Sequence, residues 1–234
     1  MKSDTEIRWL GHSAFSMKLP SGKQLLIDQF LSQNPMTPDL YKHPKHVDAI
    51  FLTHGHEDHV GDTLEIAKET GCKVFGQVEL IGLLRKHGLS DAAAVGFNKG
   101  GTVTFDDVSV TMVHAQHSSS YAGEYAGEAA GLVFKVEKDV TFYHMGDTNA
   151  FTDLEWIGEF YQPDVVAVPI GDFYTMGPVE AALAVELLNP ARVTPIHYGT
   201  FPVLTGDPAE FKTLVERDTD AVVVVPKPGE LVKV

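Results

Sequence analysis

Short apolar runs with a two-residue alternation dominate the first part of the chain. Residues 7–10 and 14–19 read as strands, and the turn Pro20-Ser21-Gly22-Lys23 leads to a third strand over 24–27. Pro20 and Gly22 supply the fixed and the permissive backbone angles that such a loop needs. A fully apolar run over 49–52 ends at Thr53. Asp62 is placed to cap a helix through Glu69 that Gly71 stops, 73–75 reads as a strand, and 78–86 as a helix ending at Gly88. In the middle, 102–105 and 108–113 flank Asp106-Asp107, while 132–136 and 140–143 flank Lys138-Asp139, giving two hairpins. From there helix and strand alternate. Helices are predicted over 152–160, over 178–188 with Pro178 in the first turn, and from the cap Asp207-Pro208 to Arg217. Strands are predicted over 165–170, 192–195 and 221–225. No repeat and no Pro- or Ser-rich linker divides the chain. The pattern predicts an α/β protein: two mixed β-sheets packed together with helices outside, a four-layer α/β/β/α sandwich in one domain over 1–234.

Composition fits that class. With 234 residues, 44% hydrophobic and 21% charged, the chain can bury a substantial core without staples. A single cysteine, Cys72, excludes an intrachain disulfide and a cysteine metal cage, and reads as a small buried residue. No apolar run approaches the ~18 residues of a bilayer span. The N-terminal stretch carries Asp4 and Glu6 where a signal peptide would have a basic flank and an apolar run, which points to the cytoplasm. With 18 Lys and Arg against 32 Asp and Glu, the formal charge of −14 argues against a nucleic-acid partner. A small-molecule substrate is the expectation, with homo-oligomerisation left open. The unusual count is histidine, at 11.

Three of those histidines and an aspartate fall within Thr53-His54-Gly55-His56-Glu57-Asp58-His59, directly after a buried strand. Packing such side chains together at a strand end is costly unless something unites them, and imidazole with carboxylate suits a divalent transition metal, zinc first. Alternation puts His54 and His56 on one side, whereas Asp58 and His59 follow a turn of the chain. That suggests two ions, with further ligands drawn from later strand ends.

These residues, with the opening Trp9-Leu10-Gly11-His12-Ser13 and the closing Pro195-Ile196-His197-Tyr198-Gly199-Thr200-Phe201-Pro202, resemble the metallo-β-lactamase fold superfamily. The similar branch is that of metal-dependent hydrolases related to the bacterial ascorbate-6-phosphate lactonase, and the match covers essentially the whole chain. The resemblance implies later ligands at His117-Ser118, Gly146-Asp147-Thr148 and His197. It assigns His54, His56 and His117 to one ion, Asp58, His59 and His197 to the other, and Asp147 to both. Flavodiiron proteins of this fold have Glu at the place of His56, so hydrolysis is favoured over redox chemistry. The implied activity is that of a binuclear hydrolase, with zinc, manganese or iron as its cofactor. A metal-bound hydroxide would attack a small ester, lactone or phosphoester, and Asp58 would orient it and accept a proton. The alternatives are a phosphodiesterase for a nucleotide or phospholipid head group, and a metal-binding module without turnover.

Several further residues compete for roles. His114 lies only three residues before His117, and family pattern prefers His117. His12 is either site-lining or structural. Asp28, at a strand end, would orient a ligating imidazole or cap an exposed turn, and the branch pattern expects Asp-Pro where this chain has Asp28-Gln29. Tyr198, Thr200 and Thr175 are candidates for substrate contact. His144 reads as a hydrogen-bonded core residue, and His43, His46 and His87 as solvated.

Overall fold

The computed structural model describes residues 4–234; residues 1–3 of the N-terminal stretch considered for a leader lie outside the described residues. The first half contains β1 (Glu6–Gly11), β2 (Ala14–Lys18), β3 (Gln24–Ile27), β4 (Ala49–Phe51), α1 (Glu57–Val60), α2 (Thr63–Thr70), β5 (Lys73–Gln77), α3 (Val78–Lys86) and β6 (Ala94–Phe97). Its strands form one sheet in the order β1-β2-β3-β4-β5-β6, antiparallel up to β3 and parallel from there.

The second half adds β7 (Thr102–Phe105), β8 (Val108–His114), a small hairpin β9 (Ser120–Tyr121) and β10 (Glu124–Tyr125), β11 (Ala130–Val136) and β12 (Thr141–His144). It ends with α4 (Asp153–Tyr161), β13 (Val165–Pro169), α5 (Pro178–Leu188), β14 (Arg192–Ile196), α6 (Pro208–Asp218) and β15 (Val222–Val223). The second sheet runs β15-β14-β13-β12-β11-β8-β7, parallel from β15 to β12 and antiparallel beyond.

Side-chain alternation explains the layers. In β4, Ala49 and Phe51 face the space between the sheets while Ile50 faces outward; in β13, Val165 and Ala167 face inward and Val166 and Val168 outward. Three apolar clusters result. One joins Trp9, Phe15 and Phe51 to Val110, Leu132 and Phe134 between the sheets. Another packs Ile66, Leu80 and Leu84 of α2 and α3 on the first sheet, and a third packs Leu154, Ile157, Val185 and Phe211 of α4, α5 and α6 on the second. This is the four-layer α/β/β/α sandwich the sequence pattern predicts.

Local differences are instructive. The strand β6 and the pair β9–β10 have no clear apolar alternation, and the last strand is only Val222–Val223. Asp62 precedes α2 without capping it through its side chain; its carboxylate accepts the amides of Leu31 and Ser32 at 2.8 and 2.9 Å, tying down the loop after β3. Gln29 is fully buried and donates to the Val60 carbonyl at 3.1 Å, so it fastens that loop to α1. Among the described residues no helix is long and apolar enough to cross a membrane.

The topology collects the chemistry. β1 and β3 are both antiparallel to β2, and β4 is parallel to β3, so all three end on one edge of the first sheet. By the same reasoning β8, β12 and β14 end on one edge of the second. Residues just past those six ends are His12, Asp28, Thr53 to His59, His117, Asp147 and His197.

Candidate metal centre

Close approach of the backbone makes the cluster dense. A Cβ on Gly55 would sit 2.6 Å from that of Ala126, so only glycine lets the segment between His54 and His56 pass there. Gly146 has φ +65, and a Cβ on it would meet the Ala130 carbonyl at 2.7 Å and Thr53 at 3.0 Å, so this turn delivers Asp147 beside the β4 end. His12, Asp28 and His197 are all left-handed without being glycine, at φ 53, 46 and 56. Strain of this kind persists where the surroundings impose it, and here three instances face one site.

Two donor groups emerge, each with its ligand atoms within 4.8 Å of one another: His54, His56, His117 and Asp147, and beside them His12, Asp58, His59 and His197. Asp147, 2% exposed, faces both groups. Its Oδ2 lies 3.8, 3.6 and 3.1 Å from Nε2 of His54, His117 and His197, and its Oδ1 lies 3.3 Å from Nε2 of His59. His54 Nε2 and His56 Nδ1 are 3.0 Å apart, close to the roughly 3.3 Å between ligands of a tetrahedral ion with ~2.0 Å bonds. His59 Nε2, Asp147 Oδ1 and both nitrogens of His197 are buried with no hydrogen-bond partner among the described residues. Buried polar atoms normally find partners, and a converging set of unpartnered Lewis bases fits divalent cations.

The surrounding bonds set which ring nitrogens face inward. Asp28 accepts the Thr53 amide on Oδ1 at 2.9 Å, and on Oδ2 the Thr53 hydroxyl at 2.6 Å and His59 Nδ1 at 2.8 Å. Having given its proton to Asp28, the Thr53 hydroxyl can only accept from His54 Nδ1, 3.0 Å away. One buried carboxylate therefore places a ring proton on Nδ1 of both His54 and His59 and turns both Nε2 atoms to the site. His12 is treated similarly. Asp58 Oδ2, 3.0 Å from His12 Nε2, can only accept, so Nε2 carries the proton and Nδ1 accepts from the Thr200 hydroxyl at 2.9 Å.

Charge follows from these contacts. Burial, reinforced by His197, lowers the His12 pKa to about 4, so the ring is neutral. Burial and His59 likewise hold His54 well below the ordinary histidine value. Burial also opposes a proton on His59 and His197, yet the neighbouring carboxylates together outweigh it: Asp147 with Asp28 lifts His59 well above its ordinary value, and Asp147 with Asp58 lifts His197 to about 9. Asp147 and Asp58 stay ionised against the cost of burial, Asp147 through His197 and His59, Asp58 chiefly through its hydrogen bond to His12. Protons on two imidazoles thus supply positive charge that metal ligation would replace.

The other predicted residues divide. His114 lies apart from both groups, with Nδ1 3.2 Å from Lys99 Nζ and its ring edge-on to Phe151. His144 is a core residue held between the Ser13 carbonyl and the Gly146 amide. His43, His46 and His87 are exposed, and Cys72 is buried. Three candidates for substrate contact stand outside the cavity lining. Thr200 is spent on His12, Tyr198 stacks on Trp9 at 5.5 Å between centroids, and the Thr175 hydroxyl is buried without a partner. In their place Tyr174, Phe30, Tyr121 and Phe201 line a cavity of about 1080 Å³ that opens over His56, Asp58, His117, Asp147 and His197. Phe30, Tyr174 and Phe201 sit on loops and Tyr121 on the two-residue strand β9, where no periodicity marks them. Thr53 was legible only as a strand-end hydroxyl beside His54.

Residues 21–198 match the family model described as the Beta-lactamase superfamily domain. The chain belongs to this family. It is 47% identical over 215 residues to a UPF0173 metal-dependent hydrolase of Koribacter versatilis, covering 90% of this chain and 91% of that one. A UPF0173 metal-dependent hydrolase of Methanosarcina mazei is 43% identical over 235 residues, 99% of each chain. Among solved structures, Igni18, a metallo hydrolase from the hyperthermophilic archaeon Ignicoccus hospitalis, superposes with a TM-score of 0.87 at 37% identity over 98% of both chains. This β-lactamase superfamily chain is thus similar along its length to proteins named as metal-dependent hydrolases.

Proposed function

We propose that this protein is a binuclear metallo-hydrolase acting on a small ester, lactone or phosphoester. His54, His56 and His117 would hold one divalent ion, Asp58, His59 and His197 the other, and Asp147 both. The observation that carries this reading is Asp147, a buried carboxylate approached by imidazoles of two adjoining donor groups. Both halves of the sandwich contribute donors, which supports a single catalytic domain. Five imidazoles and two carboxylates favour zinc, with manganese or iron as alternatives.

Bound divalent cations would supply Lewis acidity, lowering the pKa of water toward neutrality and offsetting oxyanion charge. Asp58 lines the cavity with 28% of its side chain exposed, and its ionised carboxylate can accept a hydrogen bond from a water and so orient it. His12, fixed by Thr200, holds Asp58 in that orientation. His114, outside both groups, takes no part.

Elemental analysis of protein purified without chelator, joined to an activity screen on esters, lactones and phosphoesters, tests the reading. Two ions per chain and metal-dependent turnover are expected. No more than one ion after reloading would overturn the binuclear assignment, and inactivity on every ester would overturn the hydrolase.

A further inference from the structure

The cavity over the donor groups has room for much more than a reacting bond. Among the described residues, none of those lining it is Lys or Arg, although the chain has 18. Its acidic lining consists of Glu57, Asp58, Asp62 and Asp147. Two divalent cations would balance those four carboxylates, leaving no positive charge for a second anion elsewhere on a substrate. Burying such an anion without a partner is costly, and Glu57 and Asp62 would repel it. The net charge of −14 acts the same way at longer range.

Four aromatic side chains, Phe30, Tyr121, Tyr174 and Phe201, also line it. Phe30 and Phe201 set their edges against His12, at 5.9 and 5.6 Å between centroids, and lie 6.2 Å from each other. Tyr174 is presented by a turn in which Asp172 and Phe173 take φ 61 and 59, and it remains 55% exposed. A non-glycine pair in the left-handed region is strained, and strain of this sort gathers at ligand clamps. Tyr121 reaches the same cavity from the β9 strand.

We propose that the substrate is an uncharged carboxylic ester or lactone bearing an aromatic or similarly flat apolar group. Phe30, Tyr121, Tyr174 and Phe201 form the wall that receives that group, and substrates with a further phosphate are rejected. This rests on the hydrolase reading above and narrows it. The reaction is a redox-neutral hydrolysis: the acyl C–O bond breaks, a C–O bond to the oxygen of water forms, and the two hydrogens of water end on the acid and the alcohol.

Matched 4-nitrophenyl esters carrying acetyl, phenylacetyl or 4-phosphonophenylacetyl groups test the proposal on metal-loaded protein. The phenylacetyl ester should exceed the acetyl ester in kcat/KM about tenfold, mainly through KM, and exceed the phosphonate ester about 100-fold. Tyr174→Ala should erase the preference for phenylacetyl over acetyl, and Tyr174→Lys should narrow the gap to the phosphonate. Equal or better use of the phosphonate ester by the unmodified protein overturns the proposal and leaves the hydrolase standing. If no ester turns over, the hydrolase reading falls, and calorimetry with uncleavable N-phenyl-phenylacetamide and its phosphonate still decides the pocket. Tighter binding of the neutral amide supports the proposal; tighter binding of the phosphonate, or of neither, overturns it.

Discussion

Asp147 is the residue on which the binuclear reading depends. Two divalent cations a few ångströms apart repel strongly, and Asp147 is the carboxylate that faces both donor groups. Asp147→Asn keeps the shape and removes the charge. One ion per chain should be lost and turnover should fall by more than the ~10–100-fold typical of disturbing a group behind a ligand. Circular dichroism should stay unchanged; full metal content with a near-normal rate would remove Asp147 from the site. Asp28→Asn is a gentler change, because asparagine tolerates the left-handed backbone found there. It loses the charge that orders Thr53, His54 and His59, so metal affinity measured against a competing chelator should drop ~10–100-fold. His117→Ala should empty one site, whereas His114→Ala should leave metal content intact, since His114 packs on Lys99 and Phe151. The reverse result would reassign the ligand. The donors themselves were legible as a motif plus a family resemblance. The partners that orient them were less so, because a hydrogen bond between Asp28 and His59 joins positions 31 residues apart.

Among the elements, helices were read best where apolar spacing coincided with a stop or cap signal. The helix α3 matches its predicted bounds, as does α5 with Pro178 at its first turn. Asp207 caps α6 by accepting the Ala209 amide at 2.9 Å. Asp207→Ala should therefore cost about 1 kcal/mol in urea unfolding, with metal content unchanged because α6 packs on the outer face of the second sheet. An unchanged midpoint would show the cap to be solvent-compensated. Asp62 occupies the same kind of position before α2 but spends its carboxylate on Leu31 and Ser32. Local pattern identified the place of that residue and missed its partner.

At the scale of the molecule, three apolar clusters close the sandwich without any contribution from cations. Stripping metal with a chelator should leave the far-ultraviolet circular dichroism in place while lowering Tm, since bound ions stabilise only by mass action. Loss of the spectrum would mean that the metals organise the fold. Cys72 reports on the same core. Burial pushes its thiol pKa up, so at any pH below that value the folded chain holds less thiolate than the unfolded one. Disulfide-reagent labelling of native protein should be slow, quicken as pH rises, and become fast on unfolding; rapid labelling near neutrality would place Cys72 outside the core.

The sequence by itself determined the layer architecture, because alternation and helical spacing are local properties that decide which face each element buries. It brought together the dense His54-to-His59 cluster of candidate donors for the same reason, these side chains being neighbours along the chain. Tertiary structure alone decided the rest. Strand direction brought six strand ends together at two adjoining sheet edges, and backbone strain at His12, Asp28 and His197 aimed their rings and carboxylate. Loop packing set Tyr174 and Phe201 over the donors and drew Tyr198 and Thr200 away from the cavity. These outcomes depend on contacts between residues distant in the chain, which no local periodicity encodes.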